Sequence, residues 1–82
     1  MKGAREAGRK TIGNITVIYI AADGKVPAVI WSSEALDDAA VAALIAEFGA
    51  GSDVRVLHGV GTHTIEYQHN KNKTKTVTYT FE

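Results

Sequence analysis

Ile15-Thr-Val-Ile-Tyr-Ile-Ala-Ala-Asp-Gly-Lys-Val-Pro-Ala-Val-Ile-Trp31 reads as a β-hairpin that is apolar on both faces. Its two runs of β-branched and aromatic residues flank Asp23-Gly24, a pair suited to a two-residue type I′ turn, where both central residues need positive φ. That turn pairs Ala22 with Lys25, and hence Tyr19 with Ala28, Ile18 with Val29 and Val17 with Ile30. One face then carries Ile15, Val17, Tyr19, Val26, Ala28 and Ile30. The other carries Ile18, Ile20, Pro27, Val29 and Trp31. Pro27 has no N–H to give to a ladder, so the second strand is expected at a sheet edge or with a bulge.

The next segment is helical. Ser32 and Ser33, with Asp37 as a later candidate, supply N-cap chemistry for a helix that runs to about Phe48. Leu36, Ala40, Val41, Leu44, Ile45 and Phe48 recur at three- and four-residue steps and form one apolar stripe. Asp37 and Asp38 fall in the first turn, where the helix dipole favours acid. Gly49 and Gly51 offer a left-handed C-terminal cap. One helix covers one face of a sheet, which leaves the other apolar face of the hairpin in need of a second surface.

After the helix come a short strand, Val54-Arg-Val-Leu-His58, then Gly59-Val-Gly61, then a second hairpin. Thr62 to His69 and Thr74 to Phe81 alternate strictly. A three-residue loop at Lys71-Asn72-Lys73 pairs Tyr67 with Val77, Ile65 with Tyr79 and His63 with Phe81. Those six form an apolar-leaning face, and Thr64, Glu66, Gln68, Thr76, Thr78 and Thr80 form a wet one, as in an antiparallel sheet solvated on one side.

The expected architecture is α+β, in the order ββαββ(β): a single antiparallel or mixed sheet with one helix packed on one face. This pattern resembles the β-grasp group, in particular the small immunoglobulin-binding domains of the protein G and protein L type. The resemblance rests on the Asp-Gly hairpin at Ala22 to Lys25, the Ala-rich helix at Asp37 to Phe48 and the closing strand Thr74-Lys-Thr-Val-Thr-Tyr-Thr-Phe81. It implies that the first and last strands lie parallel in the sheet centre. The segment between helix and last strand is longer here, and no binding residue carries over.

At 82 residues the chain is one domain, with residues 1–11 read as a flexible basic arm and 12–82 as the folded unit. It has no cysteine, so no disulfide or thiolate metal ligand can staple it. Net charge is zero but unevenly spread. Residues 26–53 hold five acidic and no basic groups, whereas residues 1–25 hold five basic and two acidic. No apolar run approaches the roughly 20 residues of a membrane span. The basic start ahead of Ile15 to Ala22 has the order of a signal peptide, but Gly13 and Asn14 interrupt it, and a cytoplasmic location is expected.

The chemistry-bearing residues do not assemble into a catalytic set. His63 and His69, six apart on one strand, lie roughly 20 Å apart, too far to share an ion. His58 can approach His63 across the Gly59–Gly61 turn, but the ligand set stays incomplete. Ser32 and Ser33 are explained by capping, and adjacent Asp37 and Asp38 diverge on a helix. Gly59-Val60-Gly61 lacks the third glycine and following helix of a dinucleotide loop. No cofactor or metal is expected and the reading is non-enzymatic.

Two binding readings follow. In the first, the chain is a protein-interaction module, an adaptor, inhibitor or assembly subunit, that uses Ile18, Ile20, Val29 and Trp31 on the second sheet face for a protein partner or a homodimer. In the second, Arg5, Arg9 and Lys10 of the arm and Lys71, Lys73 and Lys75 at the hairpin tip contact a nucleic-acid backbone. A zero net charge and the lack of interleaved aromatics weigh against the second.

Overall fold

The computed structural model describes residues 6–82. Its strands are β1 (Gly8–Ile12), β2 (Ile15–Ile20), β3 (Ala28–Ser32), β4 (Val54–His58), β5 (Gly61–Asn70) and β6 (Lys73–Phe81), with helix α1 (Asp38–Phe48) between β3 and β4. The fold is α+β, as expected, but the strands form two sheets. Strands β1–β2–β3–β4 make a four-stranded mixed sheet in that order, and β5–β6 stand apart as a two-stranded sheet. The parallel pair is β3 with β4, and β6 pairs only with β5. The central parallel pair of first and last strands implied by the β-grasp resemblance is not the arrangement here.

The first hairpin turns one residue later than its Asp-Gly pair suggests. Asp23 and Val26 exchange backbone hydrogen bonds of 3.2 and 2.9 Å, which leaves Gly24 and Lys25 as the central residues. Gly24 has φ +60°, and no described residue other than glycine has positive φ. Positive φ at the first central position alone is the type II′ pattern, so glycine meets the demand without a second left-handed residue. The register therefore moves by two, with Val17 opposite Ser32, Ile18 opposite Trp31, Tyr19 opposite Ile30 and Ile20 opposite Val29. A shift of two returns every side chain to its own face. Both faces of the hairpin are as read.

Gly8–Ile12 is a strand, not part of a flexible arm. It pairs antiparallel with β2 through Gly13-Asn14, and Gly13 takes φ +59°. Strand β3 is interior, between β2 and β4, because Pro27 lies just before its first residue and takes no ladder position.

Helix α1 begins at its Asp37 N-cap, whose carboxylate accepts from the Ala40 N–H at 2.7 Å. It ends at Gly49, φ +70°, whose N–H donates to the Ile45 carbonyl. Ser32 and Ser33 are occupied elsewhere. The Ser32 hydroxyl donates to the Glu34 carbonyl, and the Ser33 hydroxyl accepts from the Thr16 N–H. The apolar stripe of α1 seats Leu44 against Val17 and Ile30, with Leu36, Ile45 and Phe48 around them. Phe48 stacks on Tyr19 with centroids 4.9 Å apart.

On the opposite face lies a second core of Ile18, Ile20, Val29 and Trp31 with Ile65, Tyr79 and Phe81, flanked by Leu57 and Val77. The chain's own last hairpin thus supplies the surface that the apolar face needs. Ile18, Ile20, Val29 and Trp31 are all buried beneath it, which corrects the expectation that they form an exposed docking face. The link between β4 and β5 is only Gly59-Val60, with φ +89° at Gly59 and +116° at Gly61. These backbone angles favour glycine and let β5 leave the plane of β4 and fold over the sheet.

The hairpin is one-sided, as its alternation predicts. Its turn is shorter than expected, however. Asn70 pairs with Lys73 across Lys71-Asn72, and a bulge at His69 absorbs the extra residue. Ile65 therefore opposes Val77, and His63 opposes Tyr79.

A candidate interaction edge on β4

The expected basic site is dispersed. Arg5 lies outside the described residues. Arg9 bonds Glu6, and Lys10 on β1 forms an ion pair with Glu47 of α1. Lys71 and Lys73 are exposed at the tip of the second hairpin, and Lys75 is half-buried opposite Tyr67. Two of the arm's cations are thus engaged by carboxylates, and the tip lysines have no such partner among the described residues.

Of the three histidines, His63 makes a structural contact. His63 Nε2 lies 2.8 Å from the Gly59 carbonyl, which also accepts from Trp31 Nε1 at 2.7 Å. A carbonyl can only accept, so His63 carries its proton on Nε2 here. Gly59 in turn donates its own N–H to the Ser32 carbonyl at 2.9 Å. One glycine thus ties β3, β5 and the link between the sheets. His69 Nδ1, beside the bulge, is buried without a partner. Among the described residues no group of three His, Cys, Asp or Glu side chains is placed to hold a metal ion. Among the same residues no helix is long and apolar enough to cross a membrane.

What sequence reasoning passed over is the outer edge of β4. The strand closes one end of the four-stranded sheet and, among the described residues, pairs only with β3. Because Gly59 N–H bonds the Ser32 carbonyl, the two-residue alternation of a ladder turns Leu57 and Arg55 toward β3 as well. Val54, Val56 and His58 therefore turn their N–H and C=O groups to the open side. Their side chains share the helix face, where Val54 packs against the core below α1.

The helix covers this edge only in part: Val54 packs into the cluster below it, and Val56 stays open. Its contacts favour the far side of the sheet: Phe48 against Tyr19 and Gly8, and Glu47 with Lys10. Val56 is left 44% exposed and Val60 71%, the large hydrophobic side chains that the fold exposes among the described residues. On the opposite face Arg55 donates to the Glu66 carbonyl at 3.0 Å and meets Asp53 at 3.3 Å, so its charge is held back from the edge. The edge thus offers unpaired backbone groups with an apolar side chain in the middle, the combination that accepts an added strand. Val54, Val56 and Leu57 in the sequence signal a strand, but not which of its sides stays open.

In comparisons with known protein families, curated proteins and solved structures, this chain matches none.

Proposed function

We propose that this chain is a small non-catalytic interaction module that binds by strand addition at the open edge of β4, acting as an adaptor, inhibitor or assembly subunit. The observation that carries this reading is the exposed Val56 at the middle of an edge strand whose outward backbone groups meet no ladder partner among the described residues. In strand addition the main-chain bonds supply affinity and alternate side chains supply selectivity. Natural edges are commonly blunted by lysine, proline or a bulge, and β4 has none of these.

A short peptide with the sequence of residues 53–59, Asp-Val-Arg-Val-Leu-His-Gly, is a suitable probe strand. Titrated into isotope-labelled protein, it is expected to shift the amide signals of Val54, Val56 and His58 and leave α1 unmoved. Val56→Lys is expected to abolish those shifts while the circular dichroism stays that of the folded chain. No perturbation of β4 at saturating peptide, or one centred on another element, would overturn the reading. The nucleic-acid alternative calls for a different result, shifts at Lys71, Lys73 and Lys75 with a short oligonucleotide.

A further inference from the structure

We propose that the strand added to β4 is β4 of a second copy, paired antiparallel about a two-fold axis through Val56, so that two four-stranded sheets join into one. The inference rests on the strand-addition reading and names its partner.

Strand β4 has five residues, and Val56 is the middle one. With the axis there, Val56 opposes Val56, Val54 opposes His58 and Arg55 opposes Leu57. Every residue of the strand meets a strand residue, and the outward-turned Val54, Val56 and His58 meet only each other. Their N–H and C=O groups can then exchange bonds in the manner of an antiparallel ladder. The nearest registers are poorer. An axis at Arg55 sets Arg55 against Arg55 and His58 against Ser52 outside the strand. An axis at Leu57 needs Gly59 and Val60 in extended alignment, and the chain leaves that conformation at Gly59. Registers a further step away fail as well. An axis at Val54 places Val56 opposite Ser52 and leaves His58 without a strand residue. An axis at His58 needs Val60 in extended alignment, but the chain leaves that conformation at Gly59, φ +89°. It also sets His58 against His58.

The side chains agree with the middle register. The two Val56 side chains, each 44% exposed in the single chain, would cover one another on the helix face. Arg55 meets an apolar residue, and its Asp53 partner stays within its own chain, so no like charges oppose across the axis. The chain's zero net charge opposes no approach of two copies. Helix α1 seats its buried Leu44 on Val17 and Ile30 of β2 and β3, so β4 lies between that contact and the axis.

The chain has no cysteine, so a single introduced thiol reports position cleanly. In the proposed pairing the two Val56 Cα atoms sit about 5.5 Å apart, the spacing of a hydrogen-bonded antiparallel pair. That lies inside the roughly 4.4–6.8 Å range of disulfides. Two Val54 residues, offset by four positions, lie about 13 Å apart and cannot bridge. Under mild oxidation Val56→Cys is expected to yield a covalent dimer at least about tenfold faster than Val54→Cys or the surface control Thr78→Cys. Light scattering on the wild-type chain is expected to give a mass that rises toward two copies with concentration. Val56→Lys, checked for folding by circular dichroism, is expected to hold it at one.

Equal cross-linking rates for the three cysteine variants, or a wild-type mass of one copy at every concentration, would overturn the proposal. If the residue 53–59 peptide still perturbs β4 in either case, strand addition stands and only the second copy is wrong. If the peptide has no effect, both fall.

Discussion

Trp31 and Phe81 stack face to face, with ring centroids 4.6 Å apart and planes 5° from parallel. One belongs to the middle of the four-stranded sheet and the other to the last strand of the separate hairpin. No backbone ladder joins the two sheets, so contacts of this kind hold the hairpin down. Trp31 also donates its indole N–H to the Gly59 carbonyl, at the link between the sheets. Trp31→Ala therefore removes a buried aromatic, its stack on Phe81 and a hydrogen bond in one step. We expect a loss of about 3–5 kcal/mol, the usual cost of truncating a buried Phe or Trp. Denaturant unfolding would show it as a lower midpoint. A small change in midpoint with a large change in association would restore Trp31 as a docking residue instead.

The glycines of the link offer a second test. A Cβ added at Gly61 meets nothing within 4 Å, so the space is open and the penalty lies in the backbone, at φ +116°. Gly61→Ala should cost about 1–3 kcal/mol, the range for residues held in sparsely populated backbone regions. Because the strain sits where β5 departs from β4, the hairpin should loosen before the main sheet does. Hydrogen exchange is expected to quicken in β5 and β6 more than in β2 and β3. Uniform quickening across all strands would instead mean that the two sheets unfold as one unit.

These contacts show how much of the fold could be read in advance. The composition of each face was legible because side chains alternate with a period of two. The first turn centres on Gly24-Lys25 instead of Asp23-Gly24, and the second hairpin bulges at His69, yet each slip moved the register by two and left every face intact. The requirement for a second cover on Ile18, Ile20, Val29 and Trp31 was legible for the same reason. Its identity was not. An apolar face specifies that something must bury it, and the alternation that puts Ile65, Tyr79 and Phe81 on an apolar face of their own does not name the partner. Strand β1 was hidden for another reason: Gly8, Arg9 and Lys10 suit an exposed edge, where charge replaces hydrophobicity as the strand signal. The open side of β4 depends on strand order, which local pattern does not encode.

Asp37 caps α1 alone, since Ser32 and Ser33 are committed to the β3 end and the loop. Asp37→Ala should therefore cost about 1 kcal/mol, within the usual range for N-cap loss. Asp37→Asn keeps an acceptor and should lose less. Thermal unfolding of the two variants beside the wild type would check the order. Equal losses in both would point to the charge at the helix N-terminus, not the hydrogen bond, as the stabilising element.

Tyr79 gives the pH prediction. Burial raises its phenol above the ordinary value near 10, and the neighbouring Tyr67 pushes in the same direction. The folded state therefore holds the phenol proton more tightly than the unfolded chain does. Stability from this group is fully present below the unfolded value and declines as pH rises through it toward the higher folded value. The window is alkaline, from about pH 10 upward. Other tyrosines and lysines titrate there as well, so the informative quantity is a difference between chains. Tyr79→Phe keeps the ring that packs beside Phe81, at a centroid distance of 6.3 Å, and removes the ionisable hydroxyl. Its unfolding free energy should fall less steeply than that of the wild type between about pH 10 and 12, with little difference at pH 7. Parallel alkaline limbs in the two chains would show that Tyr79 does not sense the fold.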